Sequence, residues 1–459
     1  MLRRILLIAC AGSLMLLSSC SRQPVATVDK PPEPSGKPLV ARAFNSGFPL
    51  SRHTFNGLGA ASDGKIYYVL CTAVIDKAAQ MYSYDPATDK IEHLGDLNEA
   101  VGEKDLKAIP QGKSHVPFFE SGGKLYFATH VGYYTLKGGR ELMGVPPPGY
   151  KPYPGGHFVS YDLATRKFES LAKTEPEQGI LAMTMDARRG RLYGLTWPDG
   201  YFVRFDMKTR EMKNLGRVSA KGEAGFGAEY RTLCRALVSD PDDGSVYLTT
   251  ADGDILRYRY DRDTIETVAG DNLRKDYFGA YDPASPGHMG YNWRQAVWHP
   301  TEKVIYAVHG NSGYLFKFDP RVERVDVIER ITSKPSKQSG MFDKFYYGYL
   351  GFTLGPDNRT LYYLTGGCIY KDGRPQVARD KTKIESQGEE NLHLVTWDIP
   401  TGTYTDHGPI FFDNGKRPSY VNSIAIGNDG DIYALSALEE GGEEWTDLIR
   451  IPNPFRRRP

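Results

Sequence analysis

The chain has 459 residues, and its 57 Lys and Arg nearly balance its 56 Asp and Glu, for a formal charge of +1. That balance excludes the basic excess of a nucleic-acid binder and leaves no acidic tail. Gly 49, Pro 30 and Tyr 30 suit many short strands joined by tight turns, and no uninterrupted helical period of useful length appears.

Residues 1–19 read as a targeting segment outside the fold. Arg3-Arg4 is followed by an apolar run from Ile5 to Leu17, shorter than the ~20 residues a spanning helix needs. The run ends in Leu17-Ser18-Ser19-Cys20. This quartet resembles the bacterial lipobox, which implies cleavage before Cys20, lipidation of that Cys and a membrane anchor in the cell envelope. Ser21 rather than Asp follows it, as in outer-membrane sorting. The alternative is an ordinary signal peptide that happens to carry a Cys. Residues 20–38, with Lys30-Pro31-Pro32-Glu33-Pro34, predict an extended tether, and residues 39–459 a single domain. Cys71, Cys234 and Cys368 are too few for a disulfide framework. They are expected to be buried small residues in three different repeats, with Cys368, in a loop, the most exposed.

From residue 65 onward a two-part phrase recurs. Its first half is a strand ending in an aliphatic residue and Tyr: Ile66-Tyr67, Leu125-Tyr126, Leu192-Tyr193, Val246-Tyr247, Ile305-Tyr306, Leu361-Tyr362 and Ile432-Tyr433. Its second half ends in an aromatic residue and Asp: Tyr84-Asp85, Tyr161-Asp162, Phe205-Asp206, Tyr260-Asp261, Phe318-Asp319 and Trp397-Asp398. The tyrosines fall 54–71 residues apart. Period-2 alternation, as in Leu256-Arg257-Tyr258-Arg259, marks half-buried antiparallel strands. A four-stranded unit at this spacing is a propeller blade. The prediction is an all-β, seven-bladed β-propeller of four-stranded antiparallel blades. The last unit lacks an outer strand, which Leu39 to Phe44 is expected to supply, closing the ring.

In such a blade the A–B and C–D turns share one face, and the B–C and D–A connections share the other. Every long insertion falls in the second class: 97–114, 131–156, 218–229, 270–293, 333–347 and 366–391. Loops on a rigid scaffold collect binding and chemistry, so that face is the expected site. The tyrosines that recur in every repeat are expected to pack, and His93, His157, His393 and His407 are expected on outer strands or turns.

The densest group is Lys113-Ser114-His115 with Thr129-His130. A hairpin turn near Ser121-Gly122 sets His115 and His130 on neighbouring strands, ~5–7 Å apart. A turn near Thr301-Glu302 sets Arg294 opposite His309. Tyr230, Arg231, Trp197, Trp293, Asn311, Tyr349 and Asn422 reach the same face. Imidazoles, tyrosines and arginines around one funnel suit β-elimination on a uronic acid. Arginine neutralises the carboxylate, His or Tyr removes the C5 proton, and a second His or Tyr protonates the departing oxygen.

This pattern resembles the seven-bladed propeller polysaccharide lyases of the ulvan lyase type. The resemblance implies His115 and His130 as the acid/base pair, Tyr230 as a further proton carrier, and Arg231 or Arg294 at the carboxylate. Lys113, Trp197, Trp293, Arg294, His309, Asn311, Tyr349 and Asn422 would hold an acidic polysaccharide or oligosaccharide. Oligogalacturonate lyases are also seven-bladed but hold a metal with several His and Gln. No comparable cluster falls in one repeat here, and no metal or other cofactor is expected. Two alternatives stay open. A glycosidase needs two paired carboxylates, and Glu177, Glu229, Asp252, Asp343 and Glu390 lie on the right face without paired spacing. A non-catalytic glycan-binding or scaffold propeller needs no histidine pair.

Overall fold

The computed structural model describes residues 39–455 apart from 54, 138–139, 287–288, 339–350, 366–368, 372–373, 377–391 and 419. The predicted Tyr349, Cys20 and Cys368 lie outside the described residues. Cys71 and Cys234 are buried with free thiols.

The described chain is nearly all β. Its α-helices, Leu97–Ala100 and Lys334–Gln338, are single turns. Five sheets have four strands each, running antiparallel in chain order or nearly so. The first comprises Leu58–Ala60, Ile66–Leu70, Gln80–Asp85 and Lys90–Asp96, and the second Phe119–Ser121, Lys124–Ala128, His157–Asp162 and Phe168–Lys173. The third runs from Gly179–Asp186 to Met212–Arg217, the fourth from Val238–Ser239 to Thr264–Thr267, and the fifth from Trp293–His299 to Arg324–Arg330. An eight-stranded sheet follows, in the order Gly351–Leu354, Thr360–Thr365, His393–Asp398, Thr403–Phe412, Leu39–Ala43, Glu443–Ile451, Ile432–Glu440, Ala425–Ile426. Within it the N-terminal strand pairs parallel with one neighbour (Leu39 with Ile410) and antiparallel with the other (Arg42 with Arg450).

The first strand of each four-stranded sheet borders one cavity of about 300 Å³. Leu58, Phe119, Thr184, Val238 and Val297 line it from the five four-stranded sheets. Thr353 and Ile424, the latter just before Ala425–Ile426, line it from the two opposite ends of the eight-stranded sheet. Phe44, Ile66, Tyr84, Tyr433 and Leu448 share one core cluster, so the first sheet packs on the last strands of the chain.

The repeated phrase has a physical cause. Tyr67, Tyr306 and Tyr433 donate their hydroxyls to Asp63 (2.8 Å), Glu302 (2.9 Å) and Asp429 (2.7 Å), the acid four residues earlier in the preceding turn. Each buries a ring and latches a hairpin. The Asp of the second half folds back on its own turn: Asp85 accepts from the Ala87 amide, Asp162 from Ala164 and Thr165, and Asp206 from Lys208 and Thr209. These are Asx turns. In the fourth sheet the phrase is displaced by two residues. Tyr258, not Tyr260, is the buried ring, and its hydroxyl donates to Asp263 at 2.8 Å as that of Tyr84 does to Asp89 at 2.9 Å. A two-residue offset preserves the strand's parity, so alternation alone does not reveal it. Tyr433→Phe removes one latch and is expected to cost about 1 kcal/mol of stability, read from a denaturant midpoint.

Asp447, where the N-terminal strand meets the last one, is wholly buried. It accepts from the Ser46 amide (2.6 Å), the Ser46 hydroxyl (2.6 Å) and the Leu448 amide (2.8 Å). Burial outweighs these donors and pushes its pKa up to about 6. Between the unfolded value of about 4 and that level the folded state binds the extra proton, so this group's contribution falls as pH rises through that window. Asp447→Asn is expected to flatten the dependence of Tm on pH between about 4 and 6. An unchanged slope would assign it to other groups.

Candidate functional site

The second sheet begins with a distorted hairpin. Lys113 and His130 exchange both backbone hydrogen bonds, Lys113 N to His130 O at 3.0 Å and the reverse at 2.8 Å. Phe119 pairs with Tyr126 further on, so the register shifts in between and an irregularity lies across 114–118. Such irregularities re-aim side chains. His115 and His130 end with ring centroids 5.6 Å apart, edge to face, within the separation expected from the hairpin.

Both rings are buried. His115 is 6% exposed, and its Nδ1 has no hydrogen-bond partner. Phe55, half-buried, lies against it with centroids 4.3 Å apart. His130 packs on the backbone of Gly179, where a Cβ would stand 2.3 Å from Nδ1; only glycine leaves that room. Trp197 meets the ring of His130 edge-on at 5.6 Å.

Three cations converge on the pair. Lys113 is fully buried, its Nζ 4.5 Å from the ring centroid of Phe55 and 4.2 Å from that of Tyr134. Arg235 comes from the entry to the fourth sheet and Arg294 from the first strand of the fifth. Burial holds the pKa of His115 well below its usual value, and the charges of His130, Arg235, Arg294 and Lys113 add to this. Burial, Lys113 and Arg235 do the same for His130, against a backbone hydrogen bond with Gly179. Both imidazoles are therefore neutral near pH 7.

Glu223 anchors the far side. Its carboxylate pairs with Arg235 Nη2 at 2.7 Å and accepts from Trp197 Nε1 (2.9 Å) and the Leu233 amide (3.0 Å). It sits on a 3-10 turn, Gly222–Ala224. Gly222 has φ of 56°, and a Cβ there would meet Pro198 O at 2.5 Å. The Gly-rich run Lys221-Gly222-Glu223-Ala224-Gly225 was the available signal for so tight a turn. Neither it nor Tyr134, Phe55 or Arg140 stands out by spacing.

The other predicted residues divide. Asn422 lines the central cavity with Asn56, Arg235 and Gln295. Tyr230 is buried beneath Arg140, whose guanidinium carbon is 4.5 Å from the ring centroid. Arg231 pairs outward with Asp252 at 2.7 Å and donates to the Ala228 and Tyr230 carbonyls. Trp293 is 0% exposed, its Nε1 donating to Ala236 O at 2.9 Å, and Trp197 is 3% exposed between His130 and Tyr134; rings so enclosed offer no face to a sugar, against the expectation for both. His309 pairs with Trp293 rather than Arg294, because a bulge between Trp293 and Gln295 takes Arg294 out of register. The ring of His309 stacks on Phe278 at 4.2 Å, its Nδ1 bonds Ser312 Oγ, and burial pushes its pKa down to about 3. Asn311 holds the adjoining connection through Met289 N and Gly290 O. His157 and His393 are buried against Glu103 (3.1 Å) and Asp406 (2.8 Å). Among the described residues no group of three or more His, Cys, Asp or Glu side chains is placed to share a metal ion.

Solved structures similar to the chain include the oligogalacturonate lyase of Vibrio parahaemolyticus, with a TM-score of 0.50 and 10% identity over 91% of this chain and 97% of that one. The fold is a β-propeller. A chain in the crystal structure of the mitotic checkpoint complex also matches at TM-score 0.50, with 11% identity over 97% of this chain and 100% of that one. An oligogalacturonate lyase in complex with manganese matches at 0.47, with 12% identity over 92% of this chain and 98% of that one. At such identities the likeness is one of propeller fold alone. No protein-family model and no curated protein matches the chain.

Proposed function

We propose that this propeller binds an acidic saccharide and cleaves it by β-elimination at a uronic acid. The observation that carries the reading is the buried, neutral His115–His130 pair ringed by Lys113, Arg235 and Arg294. A buried cationic group of this kind favours an anion. A carboxylate drawn to Arg235 and Arg294 would make the C5–H more acidic. The same carboxylate raises the basicity of the imidazole beside it, so binding prepares the base. His115, with its free Nδ1, removes the C5 proton. The C5–H electron pair forms the C4–C5 double bond as the C4–O bond breaks. The proton then passes to the leaving oxygen, through His115 itself or through His130, and both rings are neutral again. Arg294 and Arg235 flank the histidine pair and so suit the carboxylate better than Arg231, which turns away to Asp252.

The finer architecture belongs to the same reading. The eight-stranded sheet is two blades joined edge to edge through Leu39–Ala43, which makes seven blades in all. Support comes from its two ends, which line the cavity alongside the first strands of the other five sheets. Tethering of the chain through lipidated Cys20 rests on the Leu-Ser-Ser-Cys quartet. The test is direct. The wild-type protein is offered uronate-containing polymers and the ultraviolet absorbance of an unsaturated product is followed. Product from none of them sinks the elimination; binding without product leaves a glycan-binding propeller.

A further inference from the structure

Phe226 and Tyr277 are the most exposed aromatic rings among the described residues, and Phe226 is the one tied to the site. Phe226 is 62% exposed and lies between the 3-10 turns Gly222–Ala224 and Gly227–Glu229, on the loop-rich face. The ring is nonetheless held. The guanidinium carbon of Arg140 is 4.6 Å from its centroid and 4.5 Å from that of Tyr230, so one cation lies against both rings. Arg140 begins the second strand of the hairpin formed by Tyr134–Lys137 and Arg140–Met143. Its Nη2 donates to the carbonyls of Glu223 (2.8 Å) and Gly225 (2.7 Å). The carboxylate of that same Glu223 holds Arg235 and Trp197. Phe226 is thus tied, through one residue, to the group around the histidine pair.

A rigid apolar ring held in place at the rim of a polar site presents a flat surface on which a sugar ring can stack. We infer that Phe226 is an outer saccharide platform, stacking on the apolar C–H face of a sugar ring beyond the one that reaches His115 and His130, with Arg140 as its positioning residue. The inference rests on the uronate reading above. It makes the ligand an oligosaccharide rather than a single sugar. It also supplies the aromatic surface that the enclosed Trp293 does not offer.

The experiment compares wild type, Phe226→Ala, Phe226→Trp and Arg140→Ala on oligouronates of increasing length, starting from the shortest one cleaved. Tyr260→Ala is the control, because Tyr260 carries Arg191 at 4.5 Å in a similar pair at the short-turn end of the fourth sheet. Phe226→Ala is expected to raise KM by about two- to tenfold on the longer substrates only, with kcat unchanged. Phe226→Trp restores it, Arg140→Ala follows the same length dependence, and Tyr260→Ala matches wild type. A Phe226→Ala variant equal to wild type at all lengths, or impaired equally at all lengths, overturns the platform alone. A wild type that neither binds nor cleaves any oligouronate overturns the platform together with the reading beneath it.

Discussion

Replacing His115 with Ala is expected to lower uronate elimination by about 10²–10⁴-fold, the usual contribution of a positioned acid/base group. Binding of the same oligosaccharide should persist, because Lys113, Arg235 and Arg294 still face it. His130→Ala should behave alike, and the double variant should lose little more than either single one, since groups that act as a unit are not additive. The pH profile carries a second signature. Burial and nearby cations hold both imidazoles well below their ordinary pKa. The acid limb of kcat/KM should therefore lie below the usual histidine value of about 6.5. Arg235→Ala removes one of those cations and should move the limb upward. Full activity in His115→Ala, with near-ultraviolet circular dichroism unchanged, would remove the histidine from the mechanism.

Trp293→Ala is expected to cost about 3–5 kcal/mol of folding stability, measured from urea midpoints. The side chain is enclosed in the core cluster shared by the third, fourth and fifth sheets. Its loss leaves a cavity that rigid strands fill poorly, and it strips the Ala236 carbonyl of its Nε1 donor. The sequence suggests a different role, a ring stacking on sugar, and the two are separable. A stacking residue would lose affinity and keep its midpoint. Trp293→Ala should lose its midpoint, with any change in affinity following from the weakened fold.

The strands were legible because each repeat solves the same local problem in the same residues. A ring must be buried and a turn closed, so Tyr and Asp recur where a latch and an Asx turn are needed. The displaced copy at Tyr258 escaped because a two-residue slip leaves inside and outside unchanged. The histidine pair was legible because a hairpin with a known turn fixes which residues are near each other. Arg294 was misplaced by one residue because a bulge is a backbone event with no side-chain signature at this position. Glu223 escaped for another reason. Its partners, Trp197 at the end of a strand in the third sheet and Arg235 at the entry to the fourth, lie in two different repeats, and no spacing within one repeat announces a contact between two. Exposure was likewise hidden: Trp293 and Phe226 are both aromatic residues of the loop-rich face, one enclosed and one in water.

The strand Leu39–Ala43 carries a consequence for how the protein is made. Ser46, just beyond it, bonds Asp447, 401 residues further along. During synthesis the first strand therefore leaves the ribosome with neither neighbour present. At about 5–20 residues per second it waits on the order of half a minute for Glu443–Ile451. Until Thr403–Phe412 has been made both of its edges are unpaired, a state that invites pairing with another nascent copy. Docking of this strand brings together segments 401 residues apart, the kind of contact that forms late. The strand is only five residues long and carries one charge, Arg42, which limits capture by the wrong partner until the right one has been translated.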